Sequence, residues 1–341
     1  MQHRPLGRTG IHVSPYALGT MMFGAMGNPD HDESIAMIHR ALDAGINFVD
    51  TADMYSAGES EEIVGKAFKG RRDDVVLATK FFNPMGDDPN RRGGSRRWIT
   101  RSVEDSLRRL QTDHIDLFQI HRPDPHTDID ETLSALSDLV RSGKVRAIGS
   151  STFSASQMVE ANTVSDLRGH ERFRTEQPPY SILDRGVEKD VLPTAQRLGM
   201  GTLVWSPLSG GMLTGRYRKG DVPDTMRANR FAHMRDERRL DAVEGLVQLA
   251  DESGLRLPHL ALAFVIAHPG VTSAIIGPRT PEQLDDLLAG ADVTLSDDVL
   301  DRIDEIVPPG VDVSPLPHAY QEFSPADRRR RPLAERVASA G

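Results

Sequence analysis

Eight short apolar runs, spaced at a fairly even period and separated by helix-like segments, set the strongest constraint on how this chain folds. They occupy residues 16–20, 46–50, 75–80, 115–120, 145–151, 173–177, 202–205 and 271–276. Between them, apolar residues recur at helical spacing. Ile35, Ile38 and Leu42 precede Gly45, with Asp32 as the expected cap. Ile99, Val103, Leu107 and Leu110 form a second such face, and Leu133, Leu136 and Val140 a third, closed by Gly143. Further helices are expected at 60–68, 187–198, 240–250, 260–267, 280–288 and 296–307, and a long loop or lid at 210–239. Strands alternating with helices predict an α/β protein, a single (β/α)8 TIM-type barrel. A doubly wound sheet would normally carry G-x-G-x-x-G after its first strand, and that spacing is absent. We therefore expect one barrel domain over 1–341, with a short N-terminal β-hairpin (1–15), long loops on the C-terminal face and a tail at 308–341.

The charge balance narrows the function. The 341 residues carry a net charge of -9 with both signs interspersed, which argues against a general nucleic-acid binder. The basic run at 328–331 reads as a solvated tail. There are no cysteines, which excludes disulfides, thiolate zinc sites and cysteine nucleophiles. The first ten residues are polar, without an apolar signal core. The longest apolar run, 260–267, is too short to span a bilayer. A cytoplasmic protein without a membrane partner is the expectation.

Three of the strands finish on an ionisable residue. The run at 46–49 ends in Asp50, with Asp53 and Tyr55 just beyond; the next ends in Lys80; the third ends in His121. Such groups at the end of a buried strand are costly unless partnered, so they mark a candidate site. In a parallel barrel this is the end where chemistry sits. A carbonyl accepting hydride develops negative charge on oxygen and needs a proton donor within hydrogen-bond reach. A free tyrosine, with a pKa of roughly 10, is a weak acid near neutrality. A nearby ammonium stabilises the phenolate and lowers that value. Lys80 suits this role, Asp50 would hold Lys80 in place and keep it charged, and His121 would orient the carbonyl. A buried ion pair with two satisfied polar side chains would explain any one of these residues; four of them closing neighbouring strands favour chemistry. His121 and His126 lack the H-E-x-x-H spacing of a zinc site, no G-x-S-x-G elbow is present, and no metal is read.

A second constellation lies near the last strand. Thr280-Pro281-Glu282-Gln283 fits a capping box with proline at the first helical position. The helix N-terminus it creates suits an anion, and Arg279 adds a permanently charged fork. Phosphate binding and a well-capped surface helix are equally compatible with these residues alone. Gly19 and Gly24 bracket a loop where backbone can approach a ligand closely.

The order D-T-A-x-x-Y at 50–55, then strand-end Lys80, then Q-I-H at 119–121 resembles the aldo-keto reductase superfamily. The resemblance covers nearly the whole chain. It includes G-K-V-R-A-I-G-S-S-T-F at 143–153, W-S-P-L-S-G-G-M-L-T-G-R-Y at 205–217 and I-I-G-P-R-T-P-E-Q-L at 275–284. It implies a TIM-type barrel that binds NADPH/NADP extended across its C-terminal face and transfers hydride to a small-molecule aldehyde or ketone. By motif it makes Tyr55 the general acid, Lys80 and Asp50 the pair that tunes it, and His121 the group that positions substrate. Ser150, Ser151 and Gln177 would approach the nicotinamide carboxamide, and Trp205 would stack on the ring. The remaining implied cofactor contacts are Gly19, Thr20, Met21, Asp50, Ser206, Pro207, Leu208, Gly211, Leu213, Gly277, Arg279, Thr280 and Gln283. Thr152 and Leu287 stand where the family often carries asparagine. Two rival readings accompany this one: a Schiff-base lyase using Lys80, and a catalytically slow nucleotide-binding regulator like the potassium-channel β subunits of the superfamily. Substrate choice is expected to lie in loops 21–27, 83–95 and 210–239 and in the tail at 318–323.

Overall fold

The computed structural model describes residues 1–224, 229 and 231–314. Strands β1 (Arg4–Pro5) and β2 (His12–Val13) pair antiparallel, which is the expected hairpin. Its Leu6 and Val13 are fully buried and join the cluster that fills the barrel interior, so the hairpin stops the lower mouth.

The barrel is closed and its strands run parallel. Its members are β3 (Tyr16–Gly19), β4 (Phe48–Asp50), β5 (Val76–Phe81), β6 (Ile115–Ile120), β7 (Val145–Ser151), β8 (Thr175–Gln177), β9 (Gly201–Val204) and β10 (Ser273–Ile276). They neighbour one another in chain order, and β10 pairs with both β9 and β3. The sixth strand is shorter than expected and begins at Thr175, not at Phe173.

Because strand side chains alternate between faces, every second residue points inward. Ala17, Phe48, Ala78, Leu117, Ala147 and Leu203 fill the interior with apolar side chains. Two residues further along three of these strands stand Asp50, Lys80 and Gln119, so the chemistry changes from apolar to polar in one step. The register aligns these ends: Asp50 lies opposite Gly19 and Ala78, Lys80 opposite Gln119, and Ser151 opposite Gln177.

Amphipathic helices cover the outside. Helix α1 (His31–Asp43) is capped by Asp30, whose side chain accepts from Glu33 N–H at 3.0 Å; Asp32, the expected cap, lies inside its first turn. Its Met37, Ile38, Ala41 and Leu42 face the barrel. Then follow α2 (Glu59–Ala67), α3 (Arg96–Leu110), α4 (Ile129–Arg141), α5 (Ala155–Arg168), α6 (Val191–Leu198), α7 (Glu237–Glu252), α8 (Leu257–Ala267), α9 (Pro281–Ala289) and α10 (Asp297–Ile306). The helix expected over 187–198 is divided, with a 3-10 turn at Gly186–Glu188 before α6.

Within the loop expected over 210–239, residues 225–228 and 230 lie outside the described residues, and the rest is more structured than its composition suggested. A 3-10 segment runs Ser209–Thr214, another Ala232–Arg235, and Arg239 belongs to α7. Arg239 is fully buried and donates to Ser209 Oγ at 2.7 Å, to Ser314 Oγ at 2.8 Å and to the Asp184 carboxylate. A charged side chain earns its burial here because three polar partners satisfy its fork. The tail at 318–323 and the basic run at 328–331 lie outside the described residues.

Candidate active site

The polar row at the upper end of the barrel is a connected network. Lys80, fully buried, has three protons and three acceptors: Asp50 Oδ1 at 2.5 Å, the Thr51 carbonyl at 2.8 Å and Tyr55 Oη at 3.3 Å. The other Asp50 oxygen accepts from the side-chain amides of Gln177 at 2.9 Å and Gln119 at 3.3 Å. Tyr55 starts a 3-10 turn just past β4, and its ring meets the His121 ring edge-on at 6.0 Å. Asp50, Tyr55, Lys80 and His121 are therefore brought together. Asp53 is buried elsewhere, where burial and then the nearby Glu61 carboxylate push its pKa well above the usual range.

The electrostatics differ from the sequence expectation at one point. Burial outweighs the attraction of Lys80, and the Tyr55 phenol is pushed up from its ordinary value, not down. Tyr55 thus stays protonated until charge develops beside it. Burial alone would lower the Lys80 ammonium, but Asp50 and Tyr55 outweigh it and raise the net value. His121 is pushed well below the ordinary histidine range by burial and by the cations Lys80 and Arg122, so its imidazole is neutral.

Backbone strain is concentrated on this face. Among the described residues, seven non-glycine positions have positive φ, and six follow the upper ends of strands: Ser56, Ala57, Phe82, Thr152, Ser206 and Ser209. Such conformations persist only where surrounding structure enforces them, and they gather at functional sites.

The expected cofactor residues divide by where their side chains point. Ser151 and Gln177 lie on the inward face of the row, with Ser151 Oγ donating to the Gln177 carbonyl at 2.9 Å. Ser150, one residue earlier, faces outward; its hydroxyl donates to Glu176 Oε2 at 2.5 Å. Thr20 is fully buried with its hydroxyl 2.8 Å from Ser60 Oγ, while Met21 is exposed. Trp205 is half-buried beneath the Arg122 guanidinium, 5.7 Å from its ring centre. After Trp205 the chain turns tightly through Ser206, Pro207 and Leu208: Ser206 Oγ accepts from Gly210 N–H at 2.9 Å, and the Leu208 carbonyl from Gly211 N–H at 2.9 Å. Leu213 packs in the core, its N–H on the Leu208 carbonyl.

At the last strand, Gly277 and Arg279 are exposed. Thr280 caps α9 by accepting from Gln283 N–H at 3.4 Å. The reciprocal half of the box is shifted: Gln283 Oε1 accepts from Arg279 N–H at 2.9 Å rather than from Thr280. Leu287 packs in the core, so that position is not open to a ligand. The need for glycine at 19 and 24 comes from protein neighbours: an added Cβ would lie 2.6 Å from Ile275 Cγ2 and 2.5 Å from Glu59 Oε2 respectively.

Sequence reasoning missed Gln119, Asn83 and Arg122. A glutamine inside an apolar strand, two residues from His121, was the available signal for the first. Asn83 fell in the 83–95 loop, expected only to shape substrate choice, and Arg122 in a segment that read as a chain break.

Residues 16–308 match the model of the Aldo/keto reductase family. The chain is 42% identical over 332 residues to a Bacillus subtilis (strain 168) protein named "Uncharacterized oxidoreductase YrpG", covering 94% of this chain and 99% of that one. It is 40% identical over 296 residues to "Aldo-keto reductase YhdN" of the same organism, covering 84% and 88%. It is 36% identical over 320 residues to "Probable voltage-gated potassium channel subunit beta" of Oryza sativa subsp. japonica, covering 90% and 97%.

Proposed function

The chain belongs to the aldo/keto reductase family, and from that premise we propose an NADPH-dependent oxidoreductase that reduces an aldehyde or ketone to an alcohol, with Tyr55 as proton donor. The observation that carries this reading is the saturation of Lys80 by Asp50, the Thr51 carbonyl and Tyr55 Oη. An ammonium held in that way does not serve as a nucleophile, because Schiff-base formation needs a neutral amine. It does stabilise a phenolate that forms 3.3 Å away.

The residues present suit a nicotinamide dinucleotide. The inward polar row offers Ser151 and the side-chain carbonyl of Gln177. The turns at 206–211 bring backbone close to the surface, and the α9 N-terminus with Arg279 suits a phosphate. A bound nicotinamide would supply the hydride. Tyr55 would deliver its proton to the carbonyl oxygen, Lys80 would offset the charge left on the phenolate, and Asp50 would hold Lys80 in line. Neutral His121 would donate to the same oxygen and fix its position. We place this work in a reducing compartment, with which a chain lacking cysteine is compatible.

A second reading has one specific support, the similarity to a protein named as a probable potassium-channel β subunit. Such a regulator would bind nucleotide tightly and turn over little.

Fluorescence titration with NADPH and NADH separates these readings. The chain has two tryptophans; Trp98 is deep in the core, so quenching should come from Trp205 and vanish in Trp205→Phe. NADPH binding followed by turnover of a carbonyl panel supports the reductase. Tight binding without turnover on any carbonyl favours the regulator, and no binding of either nucleotide overturns both.

A further inference from the structure

Asn83 lies two residues past the end of β5, in a loop the reductase mechanism does not otherwise use. Its side-chain amide nitrogen lies 3.0 Å from His121 Nδ1. Two features hold it there. Phe82, the residue before it, adopts φ of +131°, a left-handed conformation that a phenylalanine takes only under constraint. The loop is also pinned on both sides: Gly93 N–H donates to the Phe82 carbonyl at 2.7 Å and Met85 N–H to the Arg91 carbonyl at 3.0 Å. His121 itself is fixed by its N–H on the Phe81 carbonyl at 2.9 Å. Strained backbone, braced loop and short contact converge on one imidazole nitrogen.

A neutral imidazole carries a single proton, on one nitrogen or the other, and the hydrogen bond at one nitrogen decides which. The groups around this ring are Lys80, Arg122 and Tyr55, and the two cations disfavour a second proton. Where an amide donates to Nδ1, the proton must sit on Nε2, the nitrogen left to face a ligand beside Tyr55.

We propose that Asn83 is a positioning residue that locks His121 in its Nε2–H tautomer, so that the imidazole meets a substrate carbonyl as a donor. This rests on the reductase reading for its consequence, but not for its test. Without the lock, part of the population would present a lone pair to the carbonyl oxygen and repel it.

Nitrogen–proton correlation spectra of the whole protein read the tautomer directly, the His121 signals being assigned by their loss in His121→Asn. The wild-type protein should show a protonated Nε2 and an unprotonated Nδ1. In Asn83→Asp a carboxylate, which only accepts, should draw a proton onto Nδ1. Asn83→Leu should lower kcat for a carbonyl substrate about tenfold, less than the roughly 100-fold cost of deleting an oxyanion donor outright. Its NADPH affinity should stay within about twofold, which also reports an intact fold. A proton on Nδ1 in the wild type, or none there in Asn83→Asp, overturns the proposal. Were no carbonyl turned over at all, the spectra would still decide the role of Asn83, and only the reductase reading would fall.

Discussion

The Lys80 ammonium meets the Asp50 carboxylate at 2.5 Å inside the barrel, and both side chains are buried. Removing one member of such a pair strands the other in a low-dielectric interior, which typically costs about 3–5 kcal/mol. Asp50→Ala should therefore unfold at distinctly lower urea, while Asp50→Ala with Lys80→Met should recover most of the loss and have no activity. A double variant no more stable than the single one would mean that the pair is not what makes Asp50→Ala costly. The pair also has a pH signature. Lys80 is raised above its ordinary 10.5 in the folded chain, so its contribution is full below that pH and is lost as pH rises through the folded value. Tyr55, also raised, acts in the same direction above pH 10.

Tyr55→Phe removes one oxygen from a half-buried ring and leaves the packing against His121 in place. Carbonyl reduction should fall about 10²–10⁴-fold, the usual worth of a positioned proton donor. NADPH affinity, read by fluorescence, should be almost unchanged. Turnover close to that of the wild type would remove Tyr55 from the role of acid.

Much of this was legible in the chain itself, and the exceptions are physical. Asp50, Lys80 and His121 stood out because each breaks an apolar strand at the same end, and period-two alternation carries them inward together. That same alternation shows why Ser150 departs from expectation: it is one residue from Ser151 and must face the other way, toward Glu176. The upward shift of Tyr55 was hidden because sequence reveals a neighbouring charge but not the degree of burial that outweighs it. The cap of α1 moved from Asp32 to Asp30 because both are acidic and only the backbone decides which lies outside the first turn. Asn83 was legible only as part of the 83–95 loop, and its contact with His121 was hidden because the Phe82 conformation that aims it has no sequence signature.

Arg279 is exposed just ahead of the α9 N-terminus, with its own N–H already engaged by Gln283. On the proposed reading, its guanidinium side chain would tell a 2′-phosphate from a hydroxyl by charge. Hydrogen bonds to charged groups are worth about 1.5–3 kcal/mol. Arg279→Leu should accordingly weaken NADPH binding by roughly ten- to a hundredfold and leave NADH binding as it was. An equal loss for both nucleotides would assign Arg279 to helix support instead.

Glu176 supplies the last test, because its burial makes stability depend on pH near neutrality. Burial raises its carboxyl from 4.5 to about 8, against the opposing hydrogen bonds from Ser150 and the Phe153 N–H. Below pH 4.5 the folded and unfolded chains both hold the proton and no penalty arises. Between 4.5 and about 8 the folded chain keeps a proton that the unfolded chain has lost, so stability falls as pH rises. The slope is at most about 1.4 kcal/mol per pH unit for one group. Above about 8 the penalty is complete and the dependence levels off. Glu176→Gln is neutral at every pH and can still accept from Phe153 N–H. Its stability relative to the wild type should climb steadily from pH 5 to pH 8, whatever fixed offset the substitution brings. Urea unfolding at four or five pH values measures this. Parallel curves for the two proteins would show that Glu176 is already ionised when folded, and that Ser150 and Phe153 stabilise a carboxylate rather than an acid.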